Sequence, residues 1–115
     1  MEETCIFCRV AAGSIPARIA YEDDVTFAFH DIDPRAPVHV LIIPREHLAS
    51  INDLEVEHAE SIGRLYLVAK KLARELGVSE SGYRLVMNSG VDAGQSVDHI
   101  HLHLIGGRPL KWPPG

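Results

Sequence analysis

The chain has 115 residues, 46% hydrophobic and 23% charged, which suits one soluble globular domain with a single core. Eleven Lys and Arg against sixteen Asp and Glu leave a net charge of −5, and no basic run is long enough to track a phosphate backbone, which argues against nucleic-acid binding. No apolar stretch approaches the roughly 20 residues of a membrane span, and the acidic start Met1-Glu2-Glu3 lacks signal-peptide character, so the expected compartment is the cytoplasm.

Residues 5–12 read as a short helix stopped by Gly13 and Pro16. Cys5 and Cys8, the two cysteines of the chain, stand at its start as Cys-x-x-Cys. Two are too few for a disulfide scaffold, and in a reducing compartment this spacing suggests metal or redox chemistry. After the turn-forming Glu22-Asp23-Asp24, a strand is expected over residues 25–29. Residues 31–37 form a loop, because Pro34 and Pro37 each remove a donor and fix φ. Residues 38–43, apolar except for His39, read as a central buried strand that Pro44 ends. From about 53 to 76, Ala59, Ile62, Leu65, Ala69, Leu72 and Leu76 recur at helical spacing. Asn52 or Asp53 can cap that helix, and Gly77 suits its end. Residues 83–88 give another strand, and 89–95, with two glycines, a loop. Strands on both sides of one long helix, without regular βαβ alternation, predict an α+β domain on a mainly antiparallel sheet.

The segment Val97-Asp98-His99-Ile100-His101-Leu102-His103-Leu104-Ile105 is the most informative. Strict alternation is a strand pattern, so the three imidazoles are expected on one sheet face and the aliphatic residues on the other, in a core. Gly106-Gly107 ends the run. Such a row has three readings: a solvated stripe, a metal site in which two histidines share an ion, or catalysis by a neutral imidazole with a neighbour moving protons. The preceding Gly94-Gln95-Ser96 turn offers N–H groups and a hydroxyl to an anion, which favours catalysis. A free imidazole titrates near ~6.5, and crowding several together disfavours the cation. A nucleophile is then available without a strong base, activity should decline below about pH 6, and loop N–H groups together with whichever histidine stays protonated can meet negative charge on a phosphoryl group.

The pattern His-φ-His-φ-His-φ-φ at residues 99–105, with φ apolar, resembles the signature of the histidine triad (HIT) family. Phe29-His30-Asp31-Ile32, Ala36-Pro37-Val38-His39, Gly94-Gln95-Ser96-Val97 and the tail Gly106-Gly107-Arg108 with Trp112-Pro113-Pro114-Gly115 are similar to its nucleoside phosphoramidase (histidine triad nucleotide-binding) branch, so the resemblance covers nearly the whole chain. It implies a HIT-like α+β fold: a five-stranded, mainly antiparallel sheet with one long and one short helix, continued across a homodimer. The implied reaction cleaves the P–N bond of a purine nucleoside phosphoramidate through a nucleotidyl-histidine, without a catalytic metal.

Residue by residue, His101 matches the nucleophile, His103 the histidine that contacts the phosphate, and Ser96 the hydroxyl that orients the leaving group. His39, on a neighbouring strand, is expected to hydrogen-bond His101 and fix its tautomer. Asp31 matches the carboxylate for the ribose hydroxyls, with Ile32 beside it; Asn88 and the Gly94-Gln95 backbone complete the sugar and phosphate contacts. Ile6, Phe7, Val10 and Ile15 align with the wall around the base. Cys5 and Cys8 match zinc-binding members, with His47 and His99 completing a tetrahedral set for structural zinc. Read without the resemblance, Asp31 and Asn88 suit turns, His39 suits a core position, and Ile6, Phe7 and Val10 suit a helix's buried face. Two residues depart from the family pattern: Asp98, where an aromatic or apolar residue is common, and Lys111 in the tail. Competing functions are a dinucleoside polyphosphate hydrolase of the same fold and a nucleotide- or zinc-binding module without turnover.

Overall fold

A computed structural model describes residues 4–115, so the acidic start at 1–3 lies outside the described residues. The elements are α1 (Ile6–Ala11), β1 (Ile19–Glu22), β2 (Thr26–His30), β3 (Val38–Pro44), α2 (Ala59–Glu75), β4 (Tyr83–Val86) and β5 (Leu102–Gly106). The strands form one five-stranded sheet in the order β1-β2-β3-β5-β4, with every neighbouring pair antiparallel. The expected α+β architecture, with one short and one long helix, is therefore the one found.

The sheet separates two apolar layers. Val40 and Ile42 of β3, with Ile100, Leu102 and Leu104, pack against Leu65, Ala69 and Leu72 of α2. Leu41 and Ile43 point the other way and join Phe7, Cys8, Phe27 and Phe29 under α1. A strand buried on both faces cannot alternate with polar residues, which is why β3 reads as an almost continuous apolar run.

Three expected boundaries move. The long helix begins at Ala59, not near 53, because 3₁₀ turns occupy Ile51–Asp53 and Val56–His58. Ser50 starts the first turn: its hydroxyl accepts from the Asn52 amide, and the Asp53 carboxylate accepts from the Ser50 amide at 3.0 Å. Leu54 is then extended, with φ −75° and ψ 139°, so helical hydrogen bonding cannot propagate through it. The C-terminus is as expected, with Gly77 at φ +78° and the Val78 amide bonded to the Ala73 carbonyl at 2.9 Å. β1 is an unexpected edge strand, joined to β2 through Asp23, whose carboxylate accepts from the Val25 and Thr26 amides at 2.8 Å each. β4 ends at Val86, two residues short of the expectation.

The third shift concerns the histidine run. Strand pairing starts only at Leu102; upstream, the Ile100 amide bonds to the Leu48 carbonyl at 2.7 Å and the His99 amide to the Val97 carbonyl at 2.9 Å. Alternation survives the loss of regular pairing. Ile100, Leu102 and Leu104 enter the α2 layer, whereas the His99 and His101 rings pack edge-on against Phe7 of α1.

Candidate functional site

His39 and His103 come from adjacent strands, β3 and β5, and meet diagonally: His39 Nε2 lies 2.9 Å from His103 Nδ1. The expected partner of His39 was His101; the register places His103 beside it instead, since Leu41 is the residue opposite His103. Hydrogen-bond direction then assigns the protons. The Arg35 backbone amide donates to His39 Nδ1 at 3.0 Å, so that nitrogen presents a lone pair and neutral His39 carries its proton on Nε2. That N–H donates to His103 Nδ1, which leaves the His103 proton on its outer nitrogen, Nε2. The Asp31 carboxylate lies 3.4 Å from His39 Nε2.

His101 has the opposite tautomer. Its Nδ1 is 2.7 Å from the His99 carbonyl, which can only accept, so Nδ1 carries the proton and Nε2 of the neutral ring presents a lone pair. The ring is buried, held edge-on between Phe7 at 5.1 Å and His103 at 5.0 Å. Burial pushes His103 down to about 4, with His101 and His39 adding to the effect. His39 is also lowered, by burial first, against the opposing pull of Asp31. His103, the histidine matched to the phosphate contact, is thus a neutral N–H donor at physiological pH and not the histidine that stays protonated.

These rings open onto a cavity of about 380 Å³, within the range of small-ligand sites. Ile6, Phe7, Val10 and Ile15 form one wall, while Asp31, Ile32, Ser96, His101 and His103 line the rest, so nine of the expected residues share one concavity. His39 does not reach it and stands behind His103. Asn88, Gly94 and Gln95 are not among its lining residues. Gln95 staples its own loop: its amide nitrogen donates to the Ala49 and Val97 carbonyls at 2.7 and 3.0 Å, and its oxygen accepts from the Gly90 amide at 2.9 Å. Gly94 supplies the left-handed turn, with φ +85°. Pro16, Ala17, Phe29, His30, Leu41 and Val97 also line the cavity and were not foreseen. Nothing local marks Pro16 and Ala17, which lie in irregular chain; His30 adjoins Asp31 and was open to inference.

A second cluster sits at the N-terminal end of α1. His99 Nδ1 is 3.4 Å from Cys5 Sγ and 3.5 Å from Cys8 Sγ, and His47 Nδ1 is 3.4 Å from Cys8 Sγ. Sulfur and nitrogen bound tetrahedrally to one zinc, at about 2.3 and 2.05 Å, stand about 3.6 Å apart. His99 Nε2 donates to the Pro44 carbonyl at 2.8 Å, which turns the Nδ1 lone pair toward the thiols. Burial lowers the His99 pKa, as a neutral ligand requires. Cys5, Cys8, His47 and His99 are therefore positioned to hold a metal ion, and their donor set is compatible with zinc. His99 serves both clusters: its ring faces the thiols and its carbonyl orients His101.

An antiparallel five-stranded sheet whose last strand, with the segment leading into it, carries alternating histidines, two of them lining a pocket beside α1, defines a histidine triad protein, and the chain belongs to the HIT family: the HIT domain matches residues 12–110. Its sequence is 48% identical over 110 residues to the purine nucleoside phosphoramidase of Escherichia coli, covering 96% of this chain and 92% of that one. A HIT family hydrolase from Legionella pneumophila superposes with a TM-score of 0.96 at 52% identity, covering 97% of this chain and all of the other (100%). Another, from Clostridium thermocellum, gives 0.94 at 44% identity over 96% of each chain. The chain is thus a member of a hydrolase family. Among the described residues, no helix is long and apolar enough to cross a membrane.

Proposed function

We propose that the protein hydrolyses the P–N bond of purine nucleoside phosphoramidates, of the adenosine 5′-monophosphoramidate type, through a nucleotidyl intermediate on His101. The observation that carries this reading is the 2.7 Å bond from His101 Nδ1 to the His99 carbonyl, which leaves Nε2 as the nucleophilic lone pair in a nucleotide-sized cavity. The Escherichia coli relative with the same activity in its name supports it.

In the first step Nε2 of His101 attacks phosphorus and the P–N bond breaks. The departing nitrogen, oriented by the Ser96 hydroxyl, takes a proton from solvent water, and the hydroxide left behind is reprotonated by the water that attacks in the second step. The imidazolium so formed keeps its Nδ1 proton on the His99 carbonyl. Water then attacks phosphorus, the N–P bond breaks, and nucleoside monophosphate leaves with neutral His101 restored. His103 Nε2–H faces the phosphoryl oxygens and stabilises their growing charge as a fixed donor. Asp31 accepts from the ribose hydroxyls, and Ile6, Phe7, Val10 and Ile15 cover the base.

Cys5, Cys8, His47 and His99 would, in this reading, hold zinc with a structural role, which would tie α1 to the chain before β5 and steady the His99 carbonyl that orients His101. β4 pairs with β5 on one side only and is an edge strand, on which a second copy would continue the sheet as a homodimer. The test is to quench turnover in acid and map the bound nucleotide by mass spectrometry. Adenylate on His101, with kcat/KM greater for a phosphoramidate than for a diadenosine polyphosphate, is expected. His101→Ala should keep AMP binding and lose turnover; unchanged turnover would refute the mechanism.

A further inference from the structure

The chemistry assigned above depends on the side of the His103 ring that carries the proton. That choice is made at His39, and His39 is in turn governed by one backbone amide, that of Arg35. What holds Arg35 in place is therefore part of how the site works, although it touches no substrate.

Arg35 lies in the loop between β2 and β3, between Pro34 and Pro37. The chain leaving β5 passes directly against that loop. Gly107 has φ +93°, and a Cβ built on it would stand 2.9 Å from Pro37 Cβ, an approach that only glycine permits. This contact delivers Arg108. Its Nε and Nη2 both donate to the Arg35 carbonyl, at 3.1 and 2.9 Å, and its Nη1 donates to the Pro109 carbonyl at 3.1 Å. A charged, two-pronged grip on one carbonyl restrains the residue whose own amide points at His39 Nδ1. The Arg35 side chain takes no part, since its guanidinium pairs with Asp33 at the surface.

We propose that Arg108 is a positioning residue for the reaction: it clamps Arg35 so that the Arg35 amide holds His39, and through it His103, in the tautomer that offers Nε2–H to the phosphate. The connection is an unbroken series of hydrogen bonds, from guanidinium to Arg35 carbonyl, from Arg35 amide to His39, and from His39 to His103. Without the clamp the Arg35 amide drifts, and only the Asp31 carboxylate, 3.4 Å from His39 Nε2, still draws the proton there, so part of the population carries it on Nδ1. His39 Nε2 becomes an acceptor, His103 turns its own proton inward to Nδ1, and the phosphate loses its donor. The inference rests on the role given to His103 above, and it adds a residue outside the cavity to the set that sets the rate.

The test uses the intact protein with its metal content matched between variants. Ring nitrogens of His39 and His103 are assigned by long-range proton–nitrogen correlation without substrate, and kinetics follow on a phosphoramidate. In the wild type both rings should show protonated Nε2 and unprotonated Nδ1. Arg108→Ala should move both toward averaged shifts and lower kcat about tenfold, with KM within about twofold, as expected for a donor that acts mainly in the transition state. Arg108→Lys, which keeps the charge but has a single donor head, should be intermediate. Wild-type ring shifts in Arg108→Ala, whatever its activity, would overturn the proposal. Should Arg108→Ala fold poorly, Arg108→Gln supplies the same reading. Because the shifts are recorded without substrate, shifted tautomers in a protein that ignores phosphoramidates would reject the reaction and leave the clamp standing.

Discussion

Acidification from about pH 7.5 to about pH 4.5 should cost the fold stability through His103, and His103→Asn should abolish that part of the loss. Burial holds the ring's pKa down to about 4 against an ordinary 6.5. The unfolded chain therefore takes up a proton near 6.5 that the folded chain refuses until about 4. Below 6.5 the unfolded state binds more protons, so stability falls with pH across this window and levels off beneath it. At about 1.36 kcal/mol per unit the gap has a ceiling of about 3.4 kcal/mol, of which about 2.5 is reached at pH 4.5. The ring is only partly buried and solvent screens it, which reduces the expected loss to about 1 kcal/mol. His39, also lowered, titrates in the same sense, so the variant difference is the quantity to read. Urea unfolding followed by the far-ultraviolet signal of α2, at equal metal loading, gives wild-type minus variant stability at both pH values. That difference should shrink by about 1 kcal/mol on acidification; a constant or growing difference would refute the claim that burial keeps this imidazole neutral.

Three further outcomes are expected. Leu102→Ala, at a side chain with no exposed surface between the sheet and α2, should lower unfolding free energy by about 2–5 kcal/mol, and a loss under about 1 kcal/mol would contradict the packing described. Cys8→Ser should lose most of the metal measured per chain and lower Tm by more than about 4 °C, whereas chelated wild type and chelated variant should melt within about 2 °C of each other. Asp31→Asn should raise KM about tenfold for a ribonucleoside phosphoramidate but not for its 2′,3′-dideoxy analogue; equal effects on both would remove the ribose contact.

Much of the architecture was legible because its physics is local. Leu65, Ala69 and Leu72 recur at helical spacing since one side of α2 is buried, and Gly77 ends it through a backbone angle other residues resist. The His101–His103 pair followed from a motif whose period equals that of a strand, whereas the apolar wall of Ile6, Phe7, Val10 and Ile15 rested on the family resemblance. What was hidden depends on distant partners. Leu54 breaks the approach to α2 because turns on either side close on their own side chains, although its neighbours fit a helix. Residues 97–101 leave the regular ladder because Leu48 claims the Ile100 amide. The pairing of His39 with His103 follows from strand register, which no single segment encodes. The backbone amides of Gly94 and Gln95 read as ligand contacts, yet they bond to the Val91 and Gly90 carbonyls within their own loop, contacts set by how that loop folds over.

The acceptor that aims His101 is the peptide oxygen of position 99. Every amino acid brings that oxygen, so no exchange of side chain can delete it, and a designer seeking to silence this handle must bend the main chain instead. Variation at 99 will consequently report on metal affinity and loop shape, while the atom that points the attacking nitrogen stays chemically untouched.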